Sequence, residues 1–216
     1  MAGPLERMRF LIVLLIVGAV ALDERDWIKV YPGAFPEALC DQFTAYLDTA
    51  DKSVVGVHDA DYRRSLQLSF NNLPPSATQT FVAALKPYFE RYKAEVRHER
   101  NLYWASGMEI PSILKYQPTG KDKFELHSDA WNIPSALRLV SVIVYLNDVE
   151  AGGETIFPNQ DMIVQPRKGS IVFFPSFLTY PHRAAPPLVA SKYAIVTWMC
   201  YGGATPGQPF YHTIPF

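Results

Sequence analysis

Two segments in the N-terminal half of the chain have apolar residues spaced like one face of an α-helix. The first is residues 36–47, and the second runs from Ser76, a residue typical of a helix N-cap, to about Arg97. The apolar positions are Leu39, Phe43 and Leu47 in the first segment and Phe81, Leu85 and Phe89 in the second. Such stripes usually face a protein core. We therefore predict two helices that pack against a sheet.

Beyond residue 102 the pattern changes to short apolar or alternating runs separated by turn residues. We predict strands at residues 110–116, 137–146, 154–157, 162–164, 170–174 and 193–199, with two earlier strands at 26–31 and 66–70. The run at 137–146 is almost continuously apolar, as in a strand covered on both faces. The polar stretch 52–65 is predicted to be a mobile loop. Many short strands at this spacing indicate a β-sandwich or barrel.

The N-terminus has the order of features found in a secretory signal. Arg7 and Arg9 precede an uncharged apolar run at residues 10–22, which contains Ala19 and Ala21 near its end. The run is shorter than the roughly 18 to 20 apolar residues of a spanning helix. We predict a signal peptide or anchor at residues 1–22, membrane contact only through residues 10–22, and one domain at residues 23–216. The alternative is a cytoplasmic protein in which this run is a buried strand or helix.

The composition indicates a folded protein with no nucleic-acid partner. The chain has 216 residues, of which 49% are hydrophobic, and its formal net charge is −1. A nearly neutral chain offers no surface for neutralising many phosphates. The two cysteines, Cys40 and Cys200, exclude a disulfide framework or a cysteine-rich zinc site. We predict two buried free thiols, with a single disulfide as the alternative.

A candidate metal site begins at His127 and Asp129. Residues two apart in an extended segment point to the same side, so this imidazole and this carboxylate lie on one side of the segment. A second imidazole, His182, follows several predicted strands later. Two histidines and one carboxylate can bind one face of Fe(II) and leave the opposite positions open. The alternative for the His-x-Asp pair alone is a surface turn. The alternative for His182 alone is a histidine with a purely structural role.

The C-terminal half contains further motifs in a fixed order. They are Tyr116 with Gly120, His127-Ser128-Asp129, Tyr145-Leu146-Asn147, Gly152 to Pro158, Pro166 to Gly169, Phe173-Phe174-Pro175, His182 and Lys192. In this order they resemble the catalytic domain of prolyl 4-hydroxylases, within the Fe(II)- and 2-oxoglutarate-dependent dioxygenase superfamily. The upstream Arg63-Arg64-Ser65 resembles a loop that this family places near its peptide substrate.

The resemblance implies a mainly β fold with supporting N-terminal helices, namely a double-stranded β-helix or jelly roll. It implies that His127, Asp129 and His182 are the catalytic residues and ligate Fe(II). Lys192 would bind the distal carboxylate of 2-oxoglutarate with help from the Tyr116 hydroxyl. The implied cofactors are Fe(II), 2-oxoglutarate and O2, with ascorbate to rescue oxidised iron. Arg64 and Trp131 are the candidates for substrate contact.

The function implied by the resemblance is hydroxylation of a C–H bond, foremost in a peptidyl proline, with decarboxylation of 2-oxoglutarate to succinate. The expected partner is a peptide or protein substrate. A hydroxylase of a free amino acid or small metabolite is the enzyme alternative. A non-catalytic jelly-roll binding module is the alternative from another class, and it predicts neither Fe(II) binding nor succinate formation.

Overall fold

A computed structural model describes residues 23–96, 102, 105–201 and 213–216. The predicted signal or anchor at residues 1–22 lies outside this part of the chain, so the division into that segment and one domain at 23–216 stays a prediction. Within the described part, no helix combines the length and apolar character needed to span a membrane.

Both predicted helices are confirmed. Helix α1 spans Glu37–Thr49 and helix α2 spans Pro75–Glu95. Of the six apolar residues on which the two predictions rested, five are buried and Leu39 is half-buried. The predicted Ser76 cap is wrong, because the N-cap of α2 is Pro74 and Pro75 occupies the first helical position. Proline suits this position since its fixed φ matches the helix and its missing N–H would have had no intrahelical partner.

The described residues form an antiparallel sheet of short strands. The strands are β1 Lys29–Tyr31, β2 Gly56–Ala60, β3 Arg63–Ser69, β4 Gly107–Glu109, β5 Ser112–Tyr116, β6 Lys123–His127, β7 Arg138–Tyr145, β8 Thr155–Phe157, β9 Met162–Val164, β10 Ile171–Pro175, β11 His182–Ala184, β12 Lys192–Cys200 and β13 Thr213–Pro215. The main path runs β1-β10-β7-β12-β5-β3-β6-β11-β8-β9, with β2 beside β3, β4 beside β12, and β13 beside β4. Strands far apart in this path line one cavity, so the sheet curls upon itself. This architecture agrees with the predicted jelly roll.

The predicted mobile loop at residues 52–65 is wrong over most of its length. Strands β2 and β3 form a hairpin there, with Val57 paired to Leu66 and Ala60 to Arg63. Strand β2 is exposed at every position except the half-buried His58. A strand exposed on both faces has no need for apolar alternation, and so its sequence carries no strand pattern.

The helices cover one face of the sheet and leave the other face to the cavity. Phe89 and Tyr92 of α2 contact the ring of Phe173 on β10, at centroid distances of 5.9 and 5.2 Å. The next residue, Phe174, points the opposite way and lines the cavity. The predicted free thiols are confirmed, because Cys40 and Cys200 are both buried and unbridged.

Candidate active site

The cavity inside the curled sheet has a volume of about 290 Å³. Residues of β3, β5, β6, β7, β8, β10, β11 and β12 line it. His127, Asp129, His182, Lys192, Tyr116 and Trp131 all belong to this lining. These six residues lie between positions 116 and 192 of the sequence, and the curl of the sheet brings them to one space.

Strand pairing brings the two histidines together. His127 is the last residue of β6, His182 is the first residue of β11, and the two are direct partners in the antiparallel register. Asp129 follows two residues after β6. One nitrogen of each imidazole and one oxygen of the carboxylate lie within 4.8 Å of one another.

Backbone carbonyls orient both imidazole rings. Nδ1 of His127 donates to the carbonyl oxygen of Glu125 at 2.7 Å, and Nδ1 of His182 donates to that of Tyr180 at 3.3 Å. The proton is assigned to Nδ1 because a carbonyl can only accept. Each Nε2 then presents a lone pair towards Asp129: Nε2 of His127 lies 3.7 Å from Oδ1, and Nε2 of His182 lies 3.7 Å from Oδ2.

This donor set fits a metal ion. A separation of 3.7 Å is too long for a hydrogen bond. It is short enough for shared coordination, because two ligand atoms each about 2.1 Å from one ion lie no more than about 4.2 Å apart. Two neutral imidazoles and one carboxylate with an open side are the ligand set typical of non-haem Fe(II).

The electrostatic environment keeps His127 and Asp129 in the forms that bind a metal. Burial lowers the pKa of His127, and the neighbouring His182 lowers it further. Burial alone would raise the pKa of Asp129, but His182, His127 and the Ser141 hydroxyl together hold it below its usual value. Neutral imidazoles and an ionised carboxylate are the ligating forms.

Lys192 lies in the cavity as a buried amine without an ion pair. Its cross-strand partner is Tyr116, and its Nζ lies over the rings of Tyr116 and Tyr145 at 5.5 and 5.3 Å. Nζ donates to the carbonyl of Gly153 at 2.7 Å, and no carboxylate of the described residues comes within ion-pair distance of it. Burial lowers the pKa of Lys192 to about 7, although Glu154 raises it slightly. An ammonium has three donors, so this group can bind an anion that enters the cavity.

Two further residues near Lys192 were not singled out by the sequence, namely Tyr145, whose ring lies beside Nζ, and Thr155 in the cavity lining. The hydroxyl of Tyr145 donates to Oγ1 of Thr155 at 2.7 Å, and both side chains are buried. Each belongs to a motif that carried the family resemblance, but only the structure places Tyr145 beside Nζ and the Thr155 hydroxyl in the cavity, where it is a candidate anion-binding group.

Arg138 is a third residue that the sequence did not single out. Its guanidinium pairs with both carboxylate oxygens of Glu109 at 2.7 Å and lies 3.6 Å from the ring centroid of Trp198. Its NH1 also donates to the backbone carbonyl of Asp129 at 3.1 Å. Arg138 therefore fixes the backbone at the carboxylate of the candidate metal site.

The two candidate substrate residues lie in different places. Trp131 lines the cavity and is 69% exposed, so it stands at the opening. Arg64 pairs with Asp59 of the β2–β3 hairpin and is absent from the cavity lining. Its neighbour Arg63 lines the cavity instead, with its guanidinium 4.8 Å from the ring centroid of Phe124. Nε of Arg63 is buried and has no hydrogen-bond partner within the described residues.

Comparison with known proteins gives a consistent result. Residues 111–200 match the family model described as the 2OG-Fe(II) oxygenase superfamily. Over 69 residues the chain is 38% identical to prolyl 4-hydroxylase subunit alpha-1 of Gallus gallus, covering 29% of this chain and 13% of that protein. The human alpha-1 subunit is 33% identical over 69 residues, with the same coverage. The chain therefore spans only about 13% of the length of these curated relatives.

Solved structures share the fold. A viral collagen prolyl hydroxylase from Paramecium Bursaria Chlorella virus-1, in complex with 2OG, superposes with a TM-score of 0.62 at 19% identity, covering 82% of this chain and 98% of that one. A Pseudomonas putida prolyl-4-hydroxylase gives 0.64 at 19% identity, over 82% and 94% of the two chains. A Trichoplax adhaerens prolyl hydroxylase, in complex with a hypoxia inducible factor peptide fragment, gives 0.65 at 15% identity, over 93% and 94%. The predicted jelly roll and the predicted family resemblance are confirmed.

Proposed function

Since residues 111–200 match the 2OG-Fe(II) oxygenase superfamily, we propose that this protein is an Fe(II)- and 2-oxoglutarate-dependent dioxygenase that hydroxylates a peptidyl proline. The observation that supports the proposal most strongly is that one cavity contains both a candidate metal site and a candidate anion-binding site. The His127, Asp129 and His182 set can hold a metal on one side only, and Lys192 offers a buried amine that pairs with no carboxylate of the described residues. A metal-chelating dicarboxylate such as 2-oxoglutarate matches both.

The bound iron and 2-oxoglutarate would supply the oxidising chemistry, in which O2 is consumed, 2-oxoglutarate becomes succinate and CO2, and one oxygen atom enters a C–H bond of the substrate. His127, Asp129 and His182 would hold Fe(II) and keep its other side open. Ascorbate would serve to keep the iron reduced.

Lys192 would hold the distal carboxylate of 2-oxoglutarate. In a cavity of low polarity an ammonium binds a carboxylate more strongly than it would in water. The hydroxyls of Tyr116 and Thr155 are additional donors in the same lining. Leu114, Ile143 and Val196 complete the wall with apolar side chains, which disfavour stray water.

The cavity mouth supports a peptide as substrate. Two large aromatic side chains there, Trp131 and Tyr62, are 69% and 55% exposed and still line the cavity. Aromatic faces of this kind suit the flat, apolar ring of proline. We propose that Trp131 contacts the substrate and that Arg63, rather than Arg64, binds a peptide carbonyl, because Arg63 has a buried Nε that lacks a partner in the described chain.

Turnover assays test the proposal. The protein is incubated with Fe(II), 2-oxoglutarate, O2 and ascorbate, and with either a panel of proline-rich peptides or free amino acids. Succinate formation and a mass gain of one oxygen atom on a peptide are expected. Oxygen gain on a free amino acid alone would favour the small-molecule alternative, and no succinate with any substrate would refute the enzyme class. The variants His127→Ala and Asp129→Ala serve as controls without turnover.

We further propose that the domain is exported or membrane-anchored through residues 1–22. The support is the order of basic, apolar and small residues in that segment. If residues 1–22 are a signal peptide, N-terminal sequencing of the protein from its native cells is expected to find a first residue after position 19. If they are an anchor, fractionation is expected to place the protein in membranes. A cytosolic protein that retains Met1 would contradict this.

A further inference from the structure

The carboxylate of Asp129 has a buried hydrogen-bond donor on strand β7. Oγ of Ser141 donates to Oδ2 of Asp129 at 2.6 Å. Ser141 is 1% exposed and lies in the middle of β7, where its neighbours Val140 and Val142 are buried as well. Burying a hydroxyl is unfavourable unless it is hydrogen-bonded. The isolated serine in this apolar strand is therefore explained by its contact with Asp129.

A second buried serine orients the first. Oγ of Ser176 lies 2.8 Å from Oγ of Ser141. Since Ser141 has only one hydroxyl hydrogen and Oδ2 of Asp129 can only accept it, Ser176 donates to Ser141. The backbone of Ser176 is fixed on both sides, because its N–H donates to Leu139 at 3.1 Å and its carbonyl accepts from Ala130 at 2.9 Å. The chain of donors thus runs from Ser176 through Ser141 to Asp129.

We propose that Ser141, oriented by Ser176, is a positioning residue that holds the Asp129 carboxylate in the orientation in which it faces Nε2 of both histidines. The hydrogen bond to Oδ2 restricts rotation of the carboxylate and so keeps it directed towards the two imidazoles before a metal binds. The inference rests on the proposed metal role of Asp129 and deepens it.

Metal binding by a matched pair of variants tests this inference. Ser141→Thr keeps the hydroxyl, and Ser141→Val replaces it with a methyl group in a side chain of the same shape. Affinity is measured by calorimetric titration of the cofactor-free protein with Co(II) alone, and the visible Co(II) spectrum reports the coordination. Outer-shell partners typically change metal affinity by about 10- to 100-fold, so Ser141→Val is expected to bind Co(II) that much more weakly than Ser141→Thr, with altered band intensity.

The variant Ser176→Ala separates positioning from a purely structural role. It is expected to weaken Co(II) binding when Ser141 is present and to have no further effect in the Ser141→Val background, because Ser176 acts through Ser141. Thermal unfolding without metal checks that each variant is folded. If Ser141→Val fails to fold, the single Ser176→Ala variant decides the question.

The outcomes are distinguishable. Co(II) binding by Ser141→Val that equals that of Ser141→Thr, or unchanged Co(II) affinity and spectrum in Ser176→Ala, would overturn the positioning role alone. Failure of the unaltered protein to bind Co(II) would overturn the proposed metal site and this inference with it.

Discussion

The lowered pKa of Lys192 predicts that 2-oxoglutarate binding weakens as the pH rises through neutrality. Burial lowers this pKa from 10.5 to about 7 in the ligand-free protein. The groups that face Nζ are the rings of Tyr116 and Tyr145 and the carbonyl of Gly153. Burial raises the pKa of Tyr116 to about 12, and that of Tyr145 is also raised by burial, so both phenols stay neutral in this range. Lys192 is thus the cavity group that gains or loses a charge beside the distal carboxylate.

The size of the effect follows from proton linkage. A carboxylate in contact with the amine favours the charged form and raises its pKa in the complex. Free protein in which Lys192 is already protonated binds 2-oxoglutarate directly, whereas protein with a neutral Lys192 must first take up a proton. The affinity therefore follows the protonated fraction of Lys192 in the free protein. With a pKa of about 7, that fraction falls from about 0.9 at about pH 6 to about 0.1 at about pH 8, and the affinity for 2-oxoglutarate falls by about 10-fold.

Isothermal titration calorimetry of the Mn(II)-loaded protein measures this affinity without turnover. Repeating the titration in buffers of different ionisation enthalpy should show uptake of about 0.9 proton per 2-oxoglutarate at about pH 8 and about 0.1 at about pH 6. The matched control is 2-oxovalerate, which has the same chain length without the distal carboxylate and should show no such dependence. A 2-oxoglutarate affinity that changes no more than that of 2-oxovalerate would refute the assignment of Lys192.

Three other predictions address the metal ligands, the backbone and the substrate. Replacing the third ligand, as in His182→Ala, should abolish succinate formation, and retained 2-oxoglutarate turnover would refute the ligand set. Gly152→Ala should lower the thermal unfolding temperature more than Gly120→Ala. Both glycines have positive φ, which costs other residues about 1–2 kcal/mol, but only at Gly152 would the added Cβ lie 2.2 Å from a backbone oxygen. Arg63→Ala should raise the KM for a peptide substrate several-fold, while the matched Arg64→Ala leaves this KM unchanged. Equal effects of the two variants would contradict the placement of Arg63.

Much of the fold follows from apolar periodicity, because long amphipathic elements carry many independent positions. The helices at 37–49 and 75–95 and the strand at 138–145 were predicted on this basis. The strands that carry the two histidines, β6 and β11, were not, since they have only five and three residues. Their conformation comes from pairing with each other and with neighbouring strands, which no local pattern records.

The candidate site shows the same division between local and long-range information. The spacing of His127 and Asp129 placed two side chains on one side of an extended segment, and this local rule sufficed for the metal-binding pair. The hydroxyl partners of Asp129 required the register of β7 against β10, in which Ser141 is paired with Phe174, two residues before Ser176. Family resemblance could name a ligand, but it gave no reason to expect its hydrogen-bond donors.

Arg63 and Arg64 show why adjacent residues of the same type cannot be exchanged in a functional assignment. Successive side chains of a strand point to opposite faces, so only one of the two can enter the cavity. The choice is made by the pairing of Arg63 with Phe124 on β6, the strand that ends at His127. A shift of one residue in this register would direct Arg64 into the cavity and place Arg63 on the outer face of the hairpin. The hairpin and β6 therefore form one unit, in which the register that places the candidate ligand His127 also selects the arginine that enters the cavity.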